Sequence, residues 1–161
     1  MFREMRRKRQ MLSHEESIAI LQNMTYGTLA VHGDDGYPYA VPVSYVYDDG
    51  KIYFHSAMSG HKVDAITKSD KVSFCVVGQD DVRPAEYTTY FRSVIVFGRA
   101  RILTDETEKR SALEKLGKRF SPDDPEGLQS EISKGFSHLL MIAIDIEHIT
   151  GKEAIELVRQ R

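Results

Sequence analysis

The sequence predicts an α+β fold that is mainly β: a closed or nearly closed barrel with peripheral helices. Three observations carry this. Short β-rich runs recur along most of the chain, Asp-Gly pairs punctuate the first of them, and the helical stretches are few and short.

In chain order, Ser13-His14-Glu15-Glu16 has the spacing of a capping box, and Ile18, Leu21 and Met24 follow at helical spacing. A first helix is therefore expected over 13–24. Tyr26 to His32 is β-rich and ends at the turn Gly33-Asp34-Asp35-Gly36. Tyr37 to Tyr47 reads as a second strand, ended by Asp48-Asp49-Gly50, and Lys51 to Ser56 as a third. These three read as a meander joined by Asp-Gly hairpins. Pro38 and Pro42 have no N–H to donate, so the second strand belongs at an edge or bulge, with an opening of the sheet near Pro42.

Gly60 to Ser69 reads as a short helix with Val63 and Ile66 on one face, and Lys71 to Gly78 as the fourth strand. Gln79 to Ala85 is polar, contains Pro84 within its last residues, and is expected to be a loop. Glu86 to Thr104 is a long β-rich stretch in which Gly98 marks a bulge or bend. Asp105 to Phe120 is helical, with Leu113 and Leu116 at i, i+3, and Ser121-Pro122-Asp123-Asp124-Pro125 breaks it. Glu126 to Ser133 is a further short helix, His138 to Ile149 the last strand, and Gly151 begins a short helical tail. At 161 residues without a repeat or linker, one domain over 1–161 is expected.

Charge is nearly balanced, 22 basic against 24 acidic residues, so no overall field argues for nucleic acid or an acidic membrane. The basic run Arg3, Arg6, Arg7, Lys8 and Arg9 reads as a solvated arm or a segment bridging a dimer. No signal-peptide pattern or membrane-spanning apolar run is present, and the single cysteine, Cys75, reads as a packed strand residue. A cytoplasmic setting is the expectation.

The stretch from Tyr53 to Ile66 is the most informative chemically. A strand ends in small polar residues, then Gly60, His61 and Lys62 open a helix. Free N–H groups and partial positive charge at a helix start suit an anion, and Lys62 adds a full charge. The glycine spacing of a nucleotide-triphosphate loop or a Rossmann fingerprint is absent. His14, His32, His55, His61, His138 and His148 are scattered without zinc-ligand spacing, and no Gly-x-Ser-x-Gly elbow occurs. Asp123 and Asp124 read as turn residues.

Four pieces, in order, carry a family resemblance. They are Met5-Arg6-Arg7-Lys8 leading to Tyr26-Gly27-Thr28-Leu29-Ala30; Tyr37 to Tyr45; His55 to Asp64; and Tyr90 to Ala100 with a closing Ile149-Thr150-Gly151-Lys152. Together they cover most of the chain. The sequence resembles the FMN-binding split-barrel family related to pyridoxamine-phosphate oxidase, and within it the nitroimidazole-resistance branch.

That resemblance implies a six-stranded split β-barrel, a homodimer, and FMN held between two subunits. It implies that Pro42, Val43, Ser44 and Tyr45 line the flavin ring with backbone and side chains, and that His55, Ser56 and Ala57 lie along the ribityl chain and phosphate. His61 and Lys62 would hold the phosphate, while Ser93 and Val94 close the pocket, in part across the interface. A histidine matching His55 has been implicated at the active site in that branch; by its chemistry a histidine can donate a proton to a reduced substrate or ligate haem.

The function implied is an FMN-dependent reductase of small electron acceptors, with NAD(P)H as a transient donor. The competing expectations are a flavin or haem carrier without turnover, and pyridoxamine-phosphate oxidation. The last is the weaker, because the extended C-terminal substrate motif of true oxidases is absent from this sequence.

Overall fold

The computed structural model describes residues 1–161. Seven antiparallel strands form one sheet: β1 (Tyr26–His32), β2 (Pro38–Ser44), β3 (Val46–Asp48), β4 (Lys51–Ser56), β5 (Lys71–Arg83), β6 (Thr88–Ile102) and β7 (Leu140–Glu153). Their order across the sheet is β2-β1-β5-β6-β7-β4-β3. The two edge strands, β2 and β3, are separated in sequence by one residue, Tyr45. The sheet must therefore curl until its edges meet at that residue, and the barrel closes there and stays split elsewhere.

Tyr45 is built for this corner. Its N–H donates to the Thr25 carbonyl (3.2 Å), and its hydroxyl donates to the Leu21 carbonyl (2.7 Å). Its ring meets Phe74 edge-on at 5.1 Å and is fully buried.

This corner corrects the sequence expectation twice. The stretch 37–47 forms two strands on opposite sheet edges, so there are seven strands rather than six and no three-strand meander. β1–β2 and β3–β4 are hairpins, with Pro38 and Pro42 on an edge strand as their missing N–H groups require. Gln79 to Arg83 also departs from expectation: it continues β5 beyond a register shift between Val77 and Gln79 and pairs with Thr88–Arg92. The bulge expected at Gly98 is present, and the extra residue, Glu147, belongs to the facing strand β7.

The interior is filled from alternate positions: Leu29 and Val31 on β1, Ile52 and Phe54 on β4, Phe74 and Val76 on β5, Val94 and Val96 on β6, Ile142 and Ile144 on β7. Each such side chain contributes roughly 1.5–3 kcal/mol by leaving water. Helix α1 (His14–Asn23) adds Leu21 to this core, and α2 (His61–Lys68) adds Ala65 and Ile66. The capping box of α1 is complete: Glu16 N–H donates to Ser13 Oγ (3.1 Å) and Ser13 N–H to the Glu16 carboxylate (2.8 Å). Helix α3 (Glu106–Phe120) lays Ala112 and Leu116 on the outer face of β4 and β7, over Tyr53, Met141 and Ala143. Helix α4 (Pro125–Gly135) packs on α3, and α5 (Ile155–Arg159) places Leu157 against Tyr90.

One carboxylate is buried within this frame. Glu153, at the end of β7, is 2% exposed and accepts from Arg92 Nε (3.1 Å) and Arg161 Nε (2.7 Å). Arg161 also bonds Glu16 of the α1 cap (2.6 Å), and Gln10 donates to the Glu153 carbonyl (2.8 Å). This knot ties together the segment before α1, α1 itself, β6, β7 and the segment after α5.

Candidate functional site

The residues singled out by sequence fall into two places. The first is the corner where β4 runs into α2. The last β4 residue, Ser56, is buried and donates its hydroxyl to the Ala57 carbonyl (2.9 Å), so its donor is already engaged. Gly60 then takes φ 145° and ψ 175°, a conformation essentially reserved for glycine, and caps α2 without a side chain. The first intrahelical bond from this cap runs from Asp64 N–H to the Gly60 carbonyl (3.0 Å), leaving the N–H groups of His61, Lys62 and Val63 ahead of it. Lys62 is half-buried and takes part in no ion pair.

His61 lies against Tyr39 of β2, ring centroids 4.1 Å apart, and its Nε2 is 3.8 Å from Asp34. Lys68 reaches the same carboxylate at 4.0 Å. Tyr39, Asp34 and Lys68 were not singled out by sequence. Tyr39 sits inside the quoted motif, but only the fold brings β2 against the start of α2.

The second place is the outer face of the sheet. Strand alternation sends Leu29, Phe74 and Val94 inward, so their neighbours face out. The registers align these neighbours in rows: Pro42, Thr28, Cys75, Ile95 and Thr150 in one; Ala40, Ala30, Ser73, Phe97 and His148 in the next. A third row holds Val77, Ser93 and Lys152, with Tyr26 and Ser44 paired on its β1–β2 side. No helix covers this platform. Tyr26, Val77, Ile95 and Phe97 are 58, 48, 42 and 40% exposed on it. The N-terminal arm lies along one margin, with Phe2 stacked on His148 at 4.6 Å and Met11 bridging to Lys152. Burial in the sheet raises the pKa of the Cys75 thiol. Cys75 is half-buried on this platform, and not packed in the interior as its apolar neighbours suggest.

The period-two alternation sorts the remaining sequence candidates. Pro42 and Ser44 face outward and are exposed, whereas Val43 packs against the core and Tyr45 is fully buried. Ser93 faces outward, and Val94 is fully buried. The side chains of Tyr45 and Val94 are thus committed to the interior, and only their backbone is available to a ligand on the outer face. His55 is exposed on the outer face beside Met141, on the opposite side of β4 from Ser56, and both its ring nitrogens are unengaged. Ala57 is exposed in the turn that follows.

The donor set fits a flavin mononucleotide. Tyr39, which faces inward beside His61, and Ser44, which faces outward, mark about 17 Å of the free edge of β2 at the usual strand rise. That is comparable with the length of such a cofactor, with the helix start at the phosphate end and a free strand edge at the ring end. No cluster of ligating side chains suited to a metal ion is present, and no helix is long and apolar enough to cross a membrane.

Comparison with known proteins bears on the same features. A candidate 5-nitroimidazole antibiotic resistance protein from Bacteroides thetaiotaomicron superposes with a TM-score of 0.72 at 18% identity, over 89% of this chain and 86% of that one. A FAD-binding protein from Mesorhizobium loti gives 0.67 at 29% identity, over 90% and 97%. A FAD- and haem-binding protein from Mycobacterium smegmatis gives 0.76 at 22% identity, over 91% and 73%. No curated protein matches the sequence. The family model described as pyridoxamine 5'-phosphate oxidase matches residues 13–153, which hold all seven strands and helices α1 to α4, and the chain belongs to that family.

Proposed function

We propose that the chain binds FMN as a homodimer and acts as a flavin-dependent reductase of small electron acceptors such as nitroaromatics or quinones. The carrying observation is the β4–α2 corner: a glycine-started helix with free N–H groups and an unpaired Lys62, set one cofactor length from the open end of edge strand β2. The bound flavin supplies hydride and electron transfer. The chain's own residues do the rest. Lys62 and the α2 start take the phosphate, with Asp34 keeping His61 and Lys68 gathered beside it. The β2 edge offers unpaired backbone groups to the polar rim of the ring. His55, exposed and unengaged beside the corner, is the imidazole the chain offers for proton transfer.

The uncovered platform supports the dimer. Four large apolar side chains on a face of otherwise small residues are what a second copy of the same face would bury. Ser44 and Ser93 lie in corresponding positions three strand spacings apart, about 14 Å, so one chain cannot bring both to one ring. A second copy can.

The test is an absorbance spectrum of purified protein before and after adding FMN, with light scattering for mass. Shifted flavin bands and a dimer are expected. Ile95→Glu should give monomers that bind FMN poorly, and a monomer that binds normally would overturn the interface site. A second reading, a flavin or haem carrier without turnover, is favoured by the free imidazole of His55. A Soret band, or bound flavin that no reduced nicotinamide can reduce, would select it.

A further inference from the structure

The closing motif Ile149-Thr150-Gly151-Lys152 puts Thr150 and Lys152 in the platform rows, and neither has been given a role. Its geometry is specific. Gly151 faces the core, where Ser17 and Leu12 pack so closely that a Cβ would overlap Ser17 Oγ. The Gly151 carbonyl accepts from Leu12 N–H (2.9 Å). This fixes the strand, and the next residue, Lys152, is turned onto the platform. Lys152 pairs in register with Ser93, and Met11 bridges to it from the other side.

Lys152 is half-buried yet forms no ion pair and no side-chain hydrogen bond; its ammonium stands 5.7 Å from the centroid of Phe91. The adjacent carboxylate, Glu153, faces the other way and is already held by Arg92 and Arg161. A cation therefore lies uncompensated on an apolar face. Along β7 it is twelve residues from Leu140, which pairs with Ser56, so the strand path to its own β4–α2 corner is about 40 Å. Whatever Lys152 serves is not its own Lys62 cluster.

We propose that Lys152 of one subunit supplies positive charge to the flavin ring system in the site of its partner. The proposal rests on the dimeric flavin-binding reading above. Ser93 and Lys152 sit side by side on the platform, so a ring that reaches Ser93 across the interface lies within reach of the ammonium. Hydride transfer from a reduced nicotinamide brings two electrons and one proton, which leaves the ring with one negative charge until a second proton arrives. A cation near that charge favours the reduced state and raises the potential.

Lys152→Gln, with Lys152→Arg as the charge-retaining control, is compared with the wild-type dimer for FMN affinity, riboflavin affinity and the potential of the bound flavin. The glutamine variant is expected to lose about tenfold more affinity for reduced than for oxidised flavin, a drop of about 30 mV for a two-electron couple. FMN and riboflavin should be affected alike, and arginine should restore the potential. An unchanged potential overturns the proposal. So does a loss confined to FMN, which would make Lys152 a phosphate ligand.

Placement in the partner's site is read from a purified heterodimer of one Lys62→Ala and one Lys152→Gln chain. Action across the interface leaves one site with both lysines intact, so half the sites should bind like wild type. No such site means that Lys152 acts within its own chain. If the wild-type chain takes up no flavin, the underlying reading falls and this proposal with it. If wild type binds flavin and Lys152→Gln matches it, this proposal alone falls.

Discussion

The Glu153 knot and the β4–α2 corner are both polar, and they are opposites. At the knot, a buried carboxylate is saturated by two guanidinium groups, and the chain's polar atoms are spent on one another. At the corner, the helix start has no side-chain cap and Lys62 has no carboxylate. The same chain can evidently satisfy charge internally when stability is at stake. Where it leaves N–H groups and a lysine unanswered around a strained glycine, the answer is expected from outside.

The comparison breaks most sharply at the knot. Removing both guanidinium groups with Arg92→Ala and Arg161→Ala strands a buried carboxylate and should cost about 3–5 kcal/mol in urea unfolding. FMN affinity per folded molecule should stay the same, and a small stability loss would mean that water reaches Glu153. The converse change is Lys62→Ala. It should weaken FMN binding by about 1.5–3 kcal/mol while leaving unfolding unchanged. Unchanged affinity removes Lys62 from the site. Gly60→Ala touches both properties, because a Cβ is strained at φ 145°; about 1–3 kcal/mol of stability should be lost.

The smallest effect sharpens the knot alone. The Ser13 N–H, then Arg161, hold the Glu16 carboxyl below its usual 4.5. A depressed pKa stabilises the fold above the unfolded value and ceases to do so as pH falls through the folded one. Glu16→Gln should therefore cost under about 1 kcal/mol at pH 7 and nothing near pH 2. A cost that persists in acid would assign Glu16 a packing role instead.

Much of this was legible in the sequence. The capping box placed α1, Asp-Gly turns bounded β1 to β4, and the prolines put β2 at an edge. The break at Tyr45 was not, because one apolar residue inside a β-rich run carries no turn signal; only its bonds to Thr25 and Leu21 show that the chain changes edges there. Gln79 to Arg83 read as a loop because it is polar, and it is a strand because Thr88–Arg92 pairs with it. For the candidate site, the quoted motifs name segments but carry no information on their phase. Adjacent strand residues such as Ser93 and Val94 point to opposite faces, so such a pair cannot both line one pocket with side chains. Lys152 stood in a quoted motif without a role, since its exposure on the platform depends on the β6–β7 register.

The burial of Tyr45 also makes the barrel self-reporting. The chain has no tryptophan and eight tyrosines, so its near-ultraviolet signal is phenolic. Tyr26, Tyr37 and Tyr87 are open to solvent, whereas burial lifts the Tyr45 hydroxyl far above the usual 10.0. Tyr45 should hold its proton until the corner between β2 and β3 opens, and the fold should lose stability as pH climbs past 10, because only the unfolded chain can release that proton. A late step in phenolate absorbance would then time the opening of the barrel seam without any label.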